Sequence, residues 1–296
     1  MILIKETLFT DNFPIITTDI ELEKIKNNFP KYDQYYVASG CIKERKEKFD
    51  ALWKIFEPYK DSHFLEQYKT QFHQRTWEMY VGCLLLRNNL KIKSLDEGPD
   101  FIIDDKEYIE CVTCTGGDKD RPDSVPEMFV AHTSNEIRVQ DVPVDQMIMR
   151  MTSVIKDKHE IHQKRTNIDK NRPFIVAVNS GILTYPQDYL GIPLIIKALF
   201  GLQFLQIDQN GNQSFSWRQE AKKANSLIPV NNFTNNLYKE ISGIIFSDKY
   251  VYDYHDKIGE DCIFINNPFA KTPVDLIRFS FLKRWFAEKY RLTKLY

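Results

Sequence analysis

No stretch of this chain is apolar enough, for long enough, to serve as a membrane span. The longest hydrophobic runs, at 81–86 and 192–205, are interrupted by glycine, proline or charge, whereas a spanning helix needs roughly 18 or more apolar residues. Cysteine is also sparse. Cys41, Cys83, Cys111, Cys114 and Cys262 are spread over 296 residues, unlike the dense pairing of a small secreted disulfide scaffold. The opening MILIKETLFTDNF lacks the basic-then-apolar order of a secretion signal. These absences predict a protein of the reducing cytoplasm with no membrane partner.

An excess of charge of one sign is missing too. Forty Lys and Arg stand against 41 Asp and Glu, for a net charge of −1 and a pI near 6.6. Proteins that bind nucleic acid through their overall field carry a basic balance, because phosphate contacts release counterions. Any such contact here must come from a local patch. What remains is ordinary globular composition, 43% hydrophobic and 27% charged, with enough length for one substantial core or two modest ones. There is no internal repeat and no low-complexity tract.

Along the chain, residues 1–40 mix short β-like pieces with turn residues. Helical spacing then appears at 43–56 and again at 64–86, where Phe64, Leu65, Tyr68, Phe72, Thr76, Met79, Tyr80 and Cys83 recur. From Leu90 the period changes. Segments 90–94, 99–103 and 108–114 are short, rich in Ile, Val, Phe and Tyr, and separated by DEG and DDK turns, which predicts antiparallel strands. A long acidic, proline-containing loop at 115–141 leads to a helix at 144–162 and an apolar strand at 174–179. Further on come a helix near 190–199 and strands near 203–207, 214–217, 241–247 and 262–266. This order predicts an α/β fold, a mixed central sheet flanked by helices. Residues 1–60 form a mainly helical N-terminal extension and 61–296 the main domain.

Three carboxylates stand out against this pattern. Asp100 opens a strand after the Gly98-Pro99 turn. Glu110 sits in the middle of an apolar strand, on the face shared by Tyr108, Val112 and Cys114. A carboxylate buried there needs a cation, either a bound ion or a Lys or Arg partner at the sheet edge. Glu78 falls on the flank of the 64–86 helix, beside Arg75 and Gly82, where the bland expectation is a solvated residue. Gly82 would let a neighbouring strand or a substrate approach closely. Arg75 and His73 lie one to two turns before Glu78 and are candidate phosphate contacts, although Arg75 is as well suited to pairing with a carboxylate.

The segments Arg75-Thr76-Trp77-Glu78-Met79-Tyr80, Gly98-Pro99-Asp100-Phe101 and Ile109-Glu110-Cys111-Val112 together resemble the PD-(D/E)xK nuclease superfamily. The match is to a branch with WE, GPDF and IECV motifs in that order. The resemblance continues through Val142–Gln146, Met149–Ser153 and Lys158 to the NNPFA segment near 266–270, so it runs over most of the chain from 68 to 273. It implies a restriction-endonuclease-like fold and a metal-dependent nuclease, an endonuclease or phosphodiesterase, with DNA rather than RNA as the expected substrate. It further implies Asp100 and Glu110 as ligands of Mg²⁺ or Mn²⁺. Glu78 would orient a water or hold a second ion. Restriction-type nucleases often dimerise, so a homodimer is compatible with it, although no segment names an interface.

One position departs from the family pattern. The lysine expected two residues after Glu110 is Val112. On the 144–162 helix, Met147, Met151, Val154, Ile155 and Lys158 fall within one arc, which puts Lys158 on the inward side as a substitute, with Arg150 flanking it as a candidate nucleic-acid contact. The bland counterpart is that Lys158 snorkels past its apolar neighbours to water. Without a substitute, the chain would be a degenerate nuclease-fold protein that binds nucleic acid or a protein partner without cleaving.

Other patterns carry less. Cys111 and Cys114 have half of a zinc-site spacing, but no second pair matches it, and core cysteines are expected. His159 and His162 lack the HExxH spacing of zinc proteases and are expected on the helix surface. Lys283-Arg284-Trp285-Phe286, with Lys289, Tyr290, Arg291 and Lys294, mixes bases and aromatics that could hold phosphates and stack on nucleobases. The bland expectation is a C-terminal helix packing its aromatics.

Overall fold

Between residues 19 and 41, where the sequence shows β-like pieces, the chain forms two helices. In the computed structural model, which describes residues 6–121, 124–128, 139–189, 191–211, 213–223, 226–288 and 291–295, helix α1 (Asp19–Asn28) begins at Thr18. The Thr18 side chain accepts the Glu21 amide at 3.3 Å and donates to the Glu21 carboxylate at 2.9 Å. Helix α2 (Gln34–Cys41) begins at Asp33, which accepts the Tyr35 amide at 2.8 Å. These side-chain caps satisfy amides that a helix start leaves unpaired. Helix α3 (Lys43–Phe56) buries Phe49, Leu52, Trp53 and Phe56 on one face.

The expected helix at 64–86 is two helices, α4 (Phe64–Tyr68) and α5 (Phe72–Arg87). A tertiary contact makes the break. Asp33 donates its amide to the Lys69 carbonyl at 2.7 Å, and its carboxylate accepts the Phe72 amide at 3.3 Å. A residue far away in sequence thus caps α5.

The central sheet has eight strands in sequential order: β1 (Ile92–Ser94), β2 (Phe101–Ile103), β3 (Glu107–Thr113), β4 (Phe174–Asn179), β5 (Gly243–Ser247), β6 (Ile263–Asn266), β7 (Lys283–Glu288) and β8 (Arg291–Leu295). β1, β2 and β3 are antiparallel neighbours, β3, β4 and β5 run parallel, and β6 pairs antiparallel to β5. β7 is parallel to β6, and β8 returns as a hairpin. The central strands are buried on both faces, as parallel strands covered by helices on each side must be. One core gathers α2 to α5 against Ile109, Cys111, Ile175, Ala177 and Ile245. The other gathers helix α6 (Val144–Lys164) and helix α7 (Leu194–Phe200) against Val112, Val176, Val178, Ile244 and Phe246. The fold is therefore α/β, with a mixed sheet between two helical layers. Phe56 of α3 meets Phe101 of β2 edge-on at 6.1 Å, so the N-terminal helices complete the same core as the sheet.

Three expectations change. The C-terminal segment forms strands rather than a helix: Trp285 and Ala287 are buried while Arg284 and Phe286 between them are partly exposed, a period of two. Trp285 is buried there and offers no face for base stacking; Lys289, Tyr290 and the side chains of Arg291 and Lys294 lie outside the described residues. His159 and His162 are buried rather than on the helix surface. His159 bonds the Glu240 carboxylate at 2.9 Å, and His162 stacks on Phe174 with centroids 3.9 Å apart. The five cysteines are buried and free. Among the described residues, no helix is long and apolar enough to cross a membrane, and the described part of the 115–141 loop forms no helix or strand.

Gly82 faces core, not substrate. A Cβ there would lie 2.6 Å from two ring carbons of Phe56 and 3.4 Å from Phe101. Alanine gains about 1 kcal/mol in helix propensity, whereas overpacking costs about 1–3 kcal/mol. Gly82→Ala is therefore expected to lower the urea midpoint with an unchanged slope. An equal or higher midpoint would mean that Phe56 can move aside freely.

Candidate active site

The site begins where β2 leaves β3. Pairing between them ends with Phe101 opposite Ile109, so the β3 backbone beyond Ile109 loses its partner on that edge. Side chains take over the missing ladder. Asp100 accepts the Cys111 amide at 2.6 Å. Gln74 of α5 donates to the Cys111 carbonyl at 3.0 Å and accepts the Thr113 amide at 3.0 Å. Unmet backbone groups at such a notch would be costly. Asp100 and Gln74 remove that cost and tie α5 to β3.

Glu110 points to the α6 face of β3. Its Oε1 accepts from Lys158 Nζ at 2.8 Å, and its Oε2 accepts from Arg165 at 2.6 Å. Arg165 makes a second, longer bond of 3.4 Å to Oε1. Lys158 therefore does not snorkel to solvent. Its ammonium sits on the strand face that also carries Val112, where the family's lysine would be. Burial alone would lower the Lys158 pKa, but Glu110 and Asp100 together raise it, so Lys158 is a firmly charged ammonium.

Glu78 lies on the other side of the sheet, with the α5 core. It is buried rather than solvated, and Arg75 pairs with it at 2.7 Å while also holding Asp61 at 2.8 Å and bonding Gln67. Arg75 is thus used by protein carboxylates, the alternative its position allowed. Burial first, then the Asp100 charge, raises the Glu78 pKa well above the usual carboxylate range, against the pull of Arg75. Half-buried Asp100 sits at the notch between the two sides, where it raises the Glu78 pKa and itself feels the charges of Glu110, Lys158 and Arg75. The Cys111 thiol is pushed well up by burial and by all three carboxylates, which places it among them.

The remaining candidates are held elsewhere. His73 is packed between Tyr35 and Tyr250, with centroids at 4.6 and 5.3 Å, and neither ring nitrogen has a partner. Burial pushes its pKa down to about 4, so it is a neutral core imidazole that offers no charge to a phosphate. Arg150, two turns before Lys158 on α6, donates to the Thr115 carbonyl at 2.7 Å and to its hydroxyl at 3.0 Å. It borders the loop leaving β3.

The expected three-carboxylate metal cage does not form. Among the described residues, no three His, Cys, Asp or Glu side chains group closely enough to hold an ion. Asp100 and Glu110 remain neighbours with hard oxygen donors, and Mg²⁺ needs no more than one or two carboxylates when waters and substrate oxygens complete its shell. Both Glu110 oxygens are held by Lys158 and Arg165, so an ion at this carboxylate would have to share them with those cations, and Glu78 stands apart with Arg75. Arg165 and Gln74 were not singled out by their spacing. Both could have been, because Arg165 lies seven residues after Lys158 on one helical stripe and Gln74 lies one turn before Glu78.

Burial, followed by the Glu110 charge, raises the Asp100 pKa to about 7. The unfolded chain releases this proton near 4, so between those values the folded protein binds more protons and loses stability as pH rises. Asp100→Asn keeps an acceptor for the Cys111 amide but cannot ionise. The variant's stability relative to the parent should therefore rise from about pH 4 to about pH 7 and then level off, measured by urea unfolding across that range. A difference that does not change with pH would show that Asp100 is not crowded by Glu110.

Comparison of the chain with protein-family models, with curated proteins and with solved structures finds no match to any of them.

Proposed function

We propose that the protein is a metal-dependent nuclease of the restriction-endonuclease-like kind, hydrolysing phosphodiester bonds in nucleic acid, with DNA as the first substrate to test and RNA as the second. The observation that carries this reading is the Lys158 ammonium, 2.8 Å from Glu110 and coupled to Asp100. It supplies, from a helix, the cation that Val112 does not. Support also comes from the notch where β2 stops pairing with β3, near which the charges of Asp100, Glu110 and Lys158 act on one another.

Asp100 and Glu110 would hold Mg²⁺ or Mn²⁺. When bound, such an ion supplies positive charge against the phosphate and activates water for in-line attack. Lys158, with three donors, can hold Glu110 and donate to a non-bridging phosphate oxygen at once. Arg165 fixes the Glu110 carboxylate as a two-point clamp, which restricts its rotation. Arg75 holds Glu78 in the helical layer, on the other side of the sheet from Glu110. Arg150, along α6 from Lys158, is positioned to meet a flanking phosphate.

A second reading is favoured by one observation. Glu110 is already neutralised by Lys158 and Arg165, as in a nuclease fold that binds nucleic acid without cutting it. Incubation with single- and double-stranded DNA and RNA, with Mg²⁺ or Mn²⁺ and an EDTA control, separates the two. The nuclease reading expects cleavage that EDTA abolishes and Asp100→Asn eliminates. Lys158→Met should slow it by about 10²-fold or more, the scale of losing one transition-state donor, with Val112→Lys restoring part of the rate in that background. Binding by fluorescence anisotropy without any product would establish the second reading, and neither binding nor cleavage would refute both.

A further inference from the structure

We infer that a cavity at the C-terminal end of α6 binds phosphate, as the free ion or as the terminal group of a nucleic-acid strand. The cavity has a volume of about 210 Å³ and is lined by His162, Gln163, Lys170, Glu240, Lys271 and Thr272. That is below the roughly 300–1,000 Å³ of typical small-molecule sites, so it suits a small ion. Its far wall is fixed by the turn that the NNPFA segment makes. Asn267 donates to the Tyr238 and Ile241 carbonyls at 3.0 and 2.8 Å. Just beyond it, Lys271 donates its amide to the Lys239 carbonyl at 2.6 Å, and the Thr272 carbonyl accepts from Ser242 at 2.5 Å.

Positive charge prevails in this lining. Lys170 donates to the His162 carbonyl, which uses one of the three N–H groups of its ammonium. Lys271 is exposed. Among the described residues neither lysine is ion-paired, because Glu240, the carboxylate of this wall, pairs with His159 at 2.9 Å instead. Burial first and then the Arg165 charge lower the Lys170 pKa, with Glu240 opposing them. His162 is 2% exposed, and its Nδ1 has no hydrogen-bond partner. Burial pushes its pKa down to about 4, so the wall holds an unsatisfied neutral imidazole rather than a third cation.

Two ammonium groups beside one carboxylate suit a particular anion. A tetrahedral oxyanion offers oxygens to donors on several sides. Phosphate also keeps an acidic proton near neutral pH, since the second pKa of its monoesters is about 6, and Glu240 can accept that proton in a hydrogen bond. Sulfate has none and would meet Glu240 as charge against charge. His162 lies one turn before Arg165, which clamps Glu110, so a phosphate here would adjoin the candidate site. The terminal-phosphate source rests on the nuclease reading; the site for the free ion does not.

Calorimetric titration of the full chain with sodium phosphate and sodium sulfate, at neutral pH and constant ionic strength, tests the inference. Phosphate should bind at millimolar concentration and raise the melting temperature, as any ligand selective for the folded state does. Sulfate should bind at least about tenfold more weakly, the scale of one charge-assisted hydrogen bond. Lys170→Met should weaken phosphate by a similar factor, and Glu240→Gln should remove most of the preference over sulfate. If Lys170→Met fails to fold by circular dichroism, Lys271→Met, at an exposed position, makes the same comparison. Asp100→Asn should bind phosphate like the parent, whether or not the parent cleaves nucleic acid. In EDTA, tighter binding of an end-phosphorylated oligonucleotide than of its hydroxyl-ended counterpart would support the site with the terminal group as its source, and equal binding would support it with the free ion. No phosphate binding, equal affinity for sulfate, unchanged binding in the lysine variants, or loss of phosphate binding in Asp100→Asn would each overturn the inference.

Discussion

Everything near the candidate site depends on how β3 is satisfied after β2 turns away. A strand inside a sheet must pair its amides and carbonyls on both edges. β4 pairs one edge of β3 along its whole length, but β2 pairs the other only as far as Ile109. Asp100 and Gln74 supply the missing partners at Cys111 and Thr113. Asp100 thereby becomes structural and electrostatic at once. Its carboxylate closes the backbone ladder and, from the same place, feels Glu110 on one side of the sheet and Glu78 on the other.

Charge compensation follows from that geometry. Carboxylates buried near a sheet notch cannot stay ionised without cations. The fold brings one set from each layer, Arg75 from α5, and Lys158 of α6 with Arg165 at that helix's C-terminal cap. The sheet keeps the two sets apart, with Asp100 between them. It also keeps Glu78 apart from Glu110: Arg75, itself anchored by Asp61, holds Glu78 within the helical layer.

The helix α6 connects separate parts of the molecule. Its middle carries Arg150 at the loop leaving β3, its last turns and cap bring Lys158 and Arg165 to Glu110, and His162 at its end borders the cavity with Lys170 and Lys271. Its buried face, Met147, Met151 and Ile155, packs on the second core and fixes the helix's rotation. That rotation decides which cations reach the strand.

Local pattern alone was sufficient for much of this. The apolar period of α6, the alternation around Glu110, the turn before Asp100 and the all-apolar β4 are short-range consequences of side-chain size and charge, and each element lies close to where its residues place it. The inward arc of Lys158 was legible for the same reason. Contacts between distant segments decided the rest. Asp33 splits the helix at 69–71, and hairpin pairing turns 283–295 into strands. The aromatic surroundings of His73 bury a residue whose helical position suggested a phosphate contact. Whether Glu110 meets a metal or a Lys and Arg pair could not be read from a strand, because an isolated carboxylate calls for positive charge without specifying its source. The packing of α6 across the sheet supplies that charge from Lys158 and Arg165, since the free energy of a buried charge is set by what the fold places beside it.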